Sequence, residues 1–234
     1  VRAFLEDVDA FSFDLGNFEE ARRLFPTVFE ALVPPEKRRR YGQVFTPQPL
    51  VEILYRLCIT DPTQRVLDPA AGTGAFLDGA YERLDTLALA AGQPLDHREL
   101  LARLYGVEIS TFPLHLCAVR LALKHPALPT EAQLCHADFF HTDPGSLLGG
   151  QQADVVLGNP PYIRQEVLAE KETIRERIRS ALGESGPTGH AYPYSPREAD
   201  AYFYFVEYAT AYLREGGAAG WVLSDKFLVV DAGR

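Results

Sequence analysis

The chain has 234 residues, 47% of them apolar, and a formal net charge of −9. That length and apolar content can bury the core of one large domain, while the net acidity excludes a surface made basic throughout to face phosphates. No run of about 18 apolar residues suggests a membrane span, and the opening residues Val1 to Asp9 mix acids with apolar residues, unlike a secretory signal.

In chain order, residues 1–35 read as a mostly helical lead-in ending at Pro34-Pro35, followed by the basic cluster Lys37 to Arg40. A turn, Tyr41-Gly42-Gln43-Val44-Phe45-Thr46-Pro47, then opens a helix with apolar residues at Leu50, Ile53, Leu54 and Leu57, closed by Asp61-Pro62. Val66-Leu67 reads as a first strand, leading through a glycine turn into a long helix that ends near Ala91. Leu104 to Val107 is a second strand, and Ser110 a candidate N-cap for a helix through about Lys124. Gln133 to Cys135 and Asp154 to Leu157 read as the third and fourth strands. A charged stretch of helical character spans Gln165 to Leu182, before a Gly/Pro/Ser-rich loop to Pro196. A tyrosine-rich helix is expected from Asp200 to Arg214, stopped by Gly216-Gly217, with a fifth strand from Gly220 to Leu223. Such alternation implies an α/β fold, a doubly wound and mostly parallel sheet with helices on both faces. Cys58, Cys117 and Cys135 are scattered, without metal spacing, so a reduced cytoplasmic protein with no metal is expected.

Three motifs fall at the carboxyl ends of successive strands, the edge where such sheets bind ligands. Asp68-Pro69-Ala70-Ala71-Gly72-Thr73-Gly74-Ala75-Phe76 has glycines that let backbone approach a ligand, but Leu77 stands where a dinucleotide fingerprint has its third glycine. An acid at the strand end also suits a cationic ligand better than a phosphate. Glu108, ending the second strand, matches an acceptor for ribose hydroxyls. Asp138 beside Phe139 matches a carboxylate for an adenine amine with an aromatic cover. Each also has a bland reading, an ordinary strand–turn–helix junction, a solvated strand-end acid or an Asp turn with core phenylalanines; the conjunction is what points to a nucleoside ligand.

Asn159-Pro160-Pro161-Tyr162 follows the fourth strand. A planar amine is a poor nucleophile because its lone pair is delocalised. The Asn side-chain oxygen and a proline carbonyl can each accept one N–H and favour the pyramidal amine formed on attack. Proline stiffens the turn, and a tyrosine ring offers a face to a base turned out of its stack.

With these motifs the chain, from about Tyr41 to Phe227, resembles the adenine-N6 DNA methyltransferases with an Asn-Pro-Pro-Tyr motif, and most of all the methylase domains of type IIG restriction–modification proteins. The resemblance implies a class I, Rossmann-like fold and S-adenosylmethionine as cofactor. It implies a cofactor site built from Phe45, Thr46, Pro47, Asp68, Ala70, Gly72, Gly74, Phe76, Glu108, Ile109, Asp138 and Phe139, and a catalytic set of Asn159, Pro160, Pro161 and Tyr162. Double-stranded DNA is the implied partner. Residues 1–40 are then a helical N-terminal extension and residues 41–234 a catalytic domain incomplete at its C-terminus. A target-recognition domain and an aromatic for the flipped base's other face are expected beyond this sequence, which leaves open whether a nuclease is fused. Protein glutamine N5-methyltransferases share the tetrapeptide but lack the Gly42-Gln43-Val44-Phe45-Thr46-Pro47 lead; cytosine-N4 enzymes usually have Ser at the place of Asn159. Non-catalytic binding of S-adenosylmethionine or nucleic acid is the reading from a different class.

Overall fold

A computed structural model describes residues 46–128, 131–162, 170–183 and 200–224. The expected helical lead-in, Phe45 and the Gly/Pro/Ser-rich loop lie outside the described residues. Along the chain run α1 (Gln48–Cys58), β1 (Val66–Asp68), α2 (Ala75–Ala90), α3 (His97–Leu101), β2 (Leu104–Glu108) and α4 (Thr111–Ala122). β3 (Gln133–His136), α5 (Pro144–Leu147), β4 (Ala153–Gly158), α6 (Lys171–Leu182), α7 (Ala201–Ala209) and β5 (Leu213–Trp221) follow. The strands form one sheet in the order β3-β2-β1-β4-β5, every pairing parallel.

The chain moves outward from β1 to β3, then returns to lay β4 against the other side of β1, Leu67 level with Val156. The crevice at the carboxyl ends of β1 and β4 is therefore a topological switch point, where such sheets receive ligands. Both faces are covered. One core joins Val51, Tyr55, Leu77, Leu84, Leu104 and Leu121; the other joins Leu67, Val156, Ile178 and the aromatics Phe139, Phe205, Tyr208 and Tyr212. No helix among the described residues is long and apolar enough to cross a membrane.

Several elements depart from the sequence expectation. In α1 the apolar residues form an arc wider than the buried face, and Val51 and Tyr55 are the ones buried; Leu50, Ile53 and Leu57 are exposed. Gly79 decides the face, since a Cβ there would meet the Tyr55 ring at 2.5 Å. The tyrosine-rich helix stops at Ala209, not Arg214, and β5 begins at Leu213. Gly216 and Gly217 sit inside β5, Gly216 at φ +70. There the pairing jumps from Ala153↔Leu213 to Val155↔Ala218, so the glycines shape a bulge rather than end a helix. Finally, α3 was not expected; Asp96 and Glu99 form a reciprocal capping box at its start.

Candidate active site at the carboxyl edge of the sheet

Asp68 ends β1 and is only 1% exposed. Its Oδ1 accepts the Ala70 backbone N–H at 3.1 Å, while its buried Oδ2 has no hydrogen-bond partner among the described residues. Burial raises its pKa to about 8, with the Glu108 charge adding to the effect. Gly72 follows at φ +53, and a Cβ there would meet nothing nearer than the Ala70 carbonyl at 3.9 Å, so the turn is open to an approaching ligand. Gly74 is enclosed: at φ +82, its absent Cβ would strike Cys117 Sγ at 2.6 Å. This glycine lets α2 start against α4.

Glu108 ends β2 and is buried, with Oε2 accepting the Gly72 N–H at 3.0 Å and Oε1 the Ser110 N–H at 2.9 Å. These two N–H groups fix the carboxylate at the strand end. Ser110 stands at the N-cap of α4 without a side-chain cap; its backbone N–H serves the acid instead. Ile109, beside them, is 46% exposed, an apolar surface at the strand end. His136 steadies it by donating Nε2–H to the Ile109 carbonyl at 3.0 Å.

Asp138, after β3, caps a short 3-10 turn, Oδ1 accepting the Phe140 N–H at 3.0 Å. The Phe139 ring does not face this edge: it is buried, with ring centroids 4.8 Å from Phe205 and 4.9 Å from Tyr212. Phe76 is likewise buried, in the opposite core. Both side chains are scaffold, and neither ring is available as an aromatic cover. Ala70 is half-buried and Pro47 exposed.

The tetrapeptide leaves β4 beside Asp68. A Cβ on Gly158 would lie 3.3 Å from Asp68 Oδ1 and 3.1 Å from the Trp221 ring. Gly158 thus lets the acid of β1, the last strand and Asn159 converge. The Asn159 amide donates Nδ2–H to Thr46 Oγ1 at 3.0 Å, which makes Oδ1 the acceptor end. Thr46 is buried just before Pro47, the N-cap of α1, so the lead motif and the tetrapeptide touch directly. Pro160 is buried, and Pro161 and Tyr162 are half-buried. Val222 clasps the tetrapeptide at both ends: its N–H donates to the Gly158 carbonyl at 3.0 Å, and its carbonyl accepts from the Tyr162 hydroxyl at 2.9 Å. Burial raises the Tyr162 phenol pKa, in keeping with a neutral donor.

The edge therefore joins three carboxylates and a neutral tetrapeptide around one crevice. Sequence reasoning missed Gly158, Trp221 and Val222. A glycine ending an otherwise bulky strand was the one available signal.

The family described as N-6 DNA Methylase matches residues 21–233. The chain is 28% identical over 209 residues to the type II methyltransferase M.PaeR7I of Pseudomonas aeruginosa, covering 85% of this chain and 34% of that protein. It is 26% identical over 150 residues to the type I restriction enzyme EcoEI methylase subunit of Escherichia coli, covering 64% of this chain and 29% of that subunit. The chain thus spans about a third of the length of these curated relatives. A cryo-electron-microscopy structure of a DrdV–DNA complex shares the fold, with TM-score 0.62 and 20% identity, over 93% of this chain and 24% of that one.

Proposed function

The chain belongs to the N-6 DNA Methylase family, and on that basis we propose that it is the methyl-transferring part of a restriction–modification methyltransferase acting on the N6 amine of adenine in DNA. Relatives from type I and type II systems support this coarser assignment ahead of any one system type. The observation that carries the reading is the contact of Asp68 with Gly158, which sets a nucleoside-type acidic edge directly against Asn159-Pro160-Pro161-Tyr162.

The residues fit S-adenosylmethionine. The unpartnered Asp68 Oδ2 suits a cationic group, Gly72 leaves backbone open to approach, and Glu108, fixed at the end of β2 by the Gly72 and Ser110 N–H groups, suits ribose hydroxyls. Ile109 offers an apolar surface and Asp138 an acceptor for the adenine. When bound, this cofactor supplies a methyl already activated on a sulfonium, so no metal or covalent intermediate is needed. Asn159 Oδ1 and the Pro160 carbonyl accept the two N–H groups of the target amine, and the Thr46 hydroxyl fixes the orientation of the Asn159 amide. The Tyr162 ring stacks on the extruded base while its hydroxyl stays on Val222. We also assign Arg164, Lys171 and Arg175 to backbone phosphates in the DNA-bound protein; Lys171 and Arg175, on α6, are half-buried.

The test is to incubate the intact protein with labelled S-adenosylmethionine and unmethylated DNA, then digest the DNA to nucleosides for mass spectrometry. N6-methyldeoxyadenosine is expected. Label in N4-methyldeoxycytidine, or only in protein glutamine side chains, would overturn the assignment.

A further inference from the structure

Asp138 has a second partner. Its Oδ2 lies 3.1 Å from His141 Nδ1; toward a carboxylate a ring nitrogen can only donate, so Nδ1 carries the proton. The other nitrogen of that ring, Nε2, lies 3.6 Å from Glu170 Oε2. Glu170 is the N-cap of α6 and, among the described residues, the one non-glycine with positive φ, at +59.

Stability does not account for this chain of groups. The His141, Asp138 and Glu170 side chains are 46%, 40% and 63% exposed, and exposed pairs contribute little. The loop is held from below: the Phe139 ring lies in the aromatic core, Thr142 Oγ1 is 2.5 Å from the Tyr212 hydroxyl, and the Tyr208 hydroxyl donates to the Thr142 carbonyl at 2.7 Å. What His141 adds is rotational control. With Phe140 N–H on one oxygen and His141 on the other, the carboxylate cannot turn, and each oxygen keeps one lone pair for a ligand. A preset acceptor loses less freedom on binding.

We propose that His141 is a positioning residue for Asp138: it holds the carboxylate toward the exocyclic amine of the cofactor's adenine. The inference rests on the reading that Asp138 receives that amine. It makes His141 a determinant of adenine selectivity in the cofactor pocket, separate from the catalytic tetrapeptide.

Calorimetry on the intact protein tests it with two probes: S-adenosylhomocysteine and its analogue whose purine lacks the 6-amino group. Wild type should prefer the amino compound by about tenfold. His141→Phe should lose about three- to tenfold of affinity for that compound alone, leaving the des-amino analogue unchanged. His141→Asn, which keeps an N–H near the Nδ1 position, should restore most of the preference. If wild type does not discriminate, the Asp138 reading fails and the inference falls with it. If wild type discriminates but His141→Phe weakens both probes equally, or neither, Asp138 stands and the positioning role is wrong.

Discussion

The two halves of the sheet's carboxyl edge are built on opposite plans. On the β1–β2–β3 side stand three carboxylates, Asp68, Glu108 and Asp138, each anchored by backbone N–H groups from residues close by or on the neighbouring loop. On the β4–β5 side the groups are neutral. Asn159 is held by Thr46, 113 residues earlier, and Tyr162 by Val222, 60 residues later. The contrast matches a cationic donor on one side and an uncharged planar amine on the other. Fixed carboxylates attract positive charge, whereas acceptors without charge can favour a pyramidal amine without competing for the sulfonium.

This division can be broken most sharply at Asn159. Asn159→Ala removes one preorganised acceptor and should lower kcat by about a hundredfold or more, read by single-turnover methylation. A kcat within about threefold of wild type, well inside that expected loss, would take Asn159 out of the reaction.

Tyr162 comes next, because its ring and hydroxyl have different tasks. Tyr162→Ala loses base stacking, about 1–3 kcal/mol. Tyr162→Phe keeps the ring and loses only the bond to Val222, about 0.5–1.5 kcal/mol. DNA binding measured with a mismatched target should therefore rank wild type, Phe, then Ala. Equal loss in both variants would assign the role to the hydroxyl.

The smallest effect is a proton at Asp68. Burial lifts this carboxyl from 3.8 to about 8, so without ligand it is mostly protonated at neutral pH. A cation against Oδ2 favours the carboxylate, so cofactor binding should release up to about one proton, and affinity should climb with pH until it levels near 8. In the ligand-free protein the sign is fixed too: the folded state holds this proton more tightly, so the group's contribution to stability falls as pH rises between 3.8 and about 8. Titrations in buffers of different ionisation enthalpy should show the release in wild type and lose it in Asp68→Asn. Identical heats of protonation would remove Asp68 from the cation site.

The same division explains what the sequence could reveal. β1, β2, β3 and β4 lie within a residue or so of their expected places, because each holds a short apolar stretch bounded by turns, in β3 only Leu134 and Cys135. The three acids are legible because they are local to strand ends. α1 was misread because spacing identifies apolar residues without saying which of them meet Gly79 and α2. Phe139 and Phe76 lie in motif positions, yet their rings turn inward, a choice made by the cores on either face of the sheet. The bulge in β5 depends on pairing with β4, and the Val222 clasp on the final strand's position. Neither is written in a local pattern.

Calorimetric affinity for S-adenosylhomocysteine, measured side by side in Glu108→Ala and Asn159→Ala, tests the division most directly. Glu108→Ala should bind about tenfold or more weakly, since hydrogen bonds to a charged group are lost. Asn159→Ala should bind within about twofold of wild type, because its acceptor oxygen is assigned to the target amine and not to the cofactor. Equal weakening in the two variants would contradict the account: the edge would then be one undivided pocket.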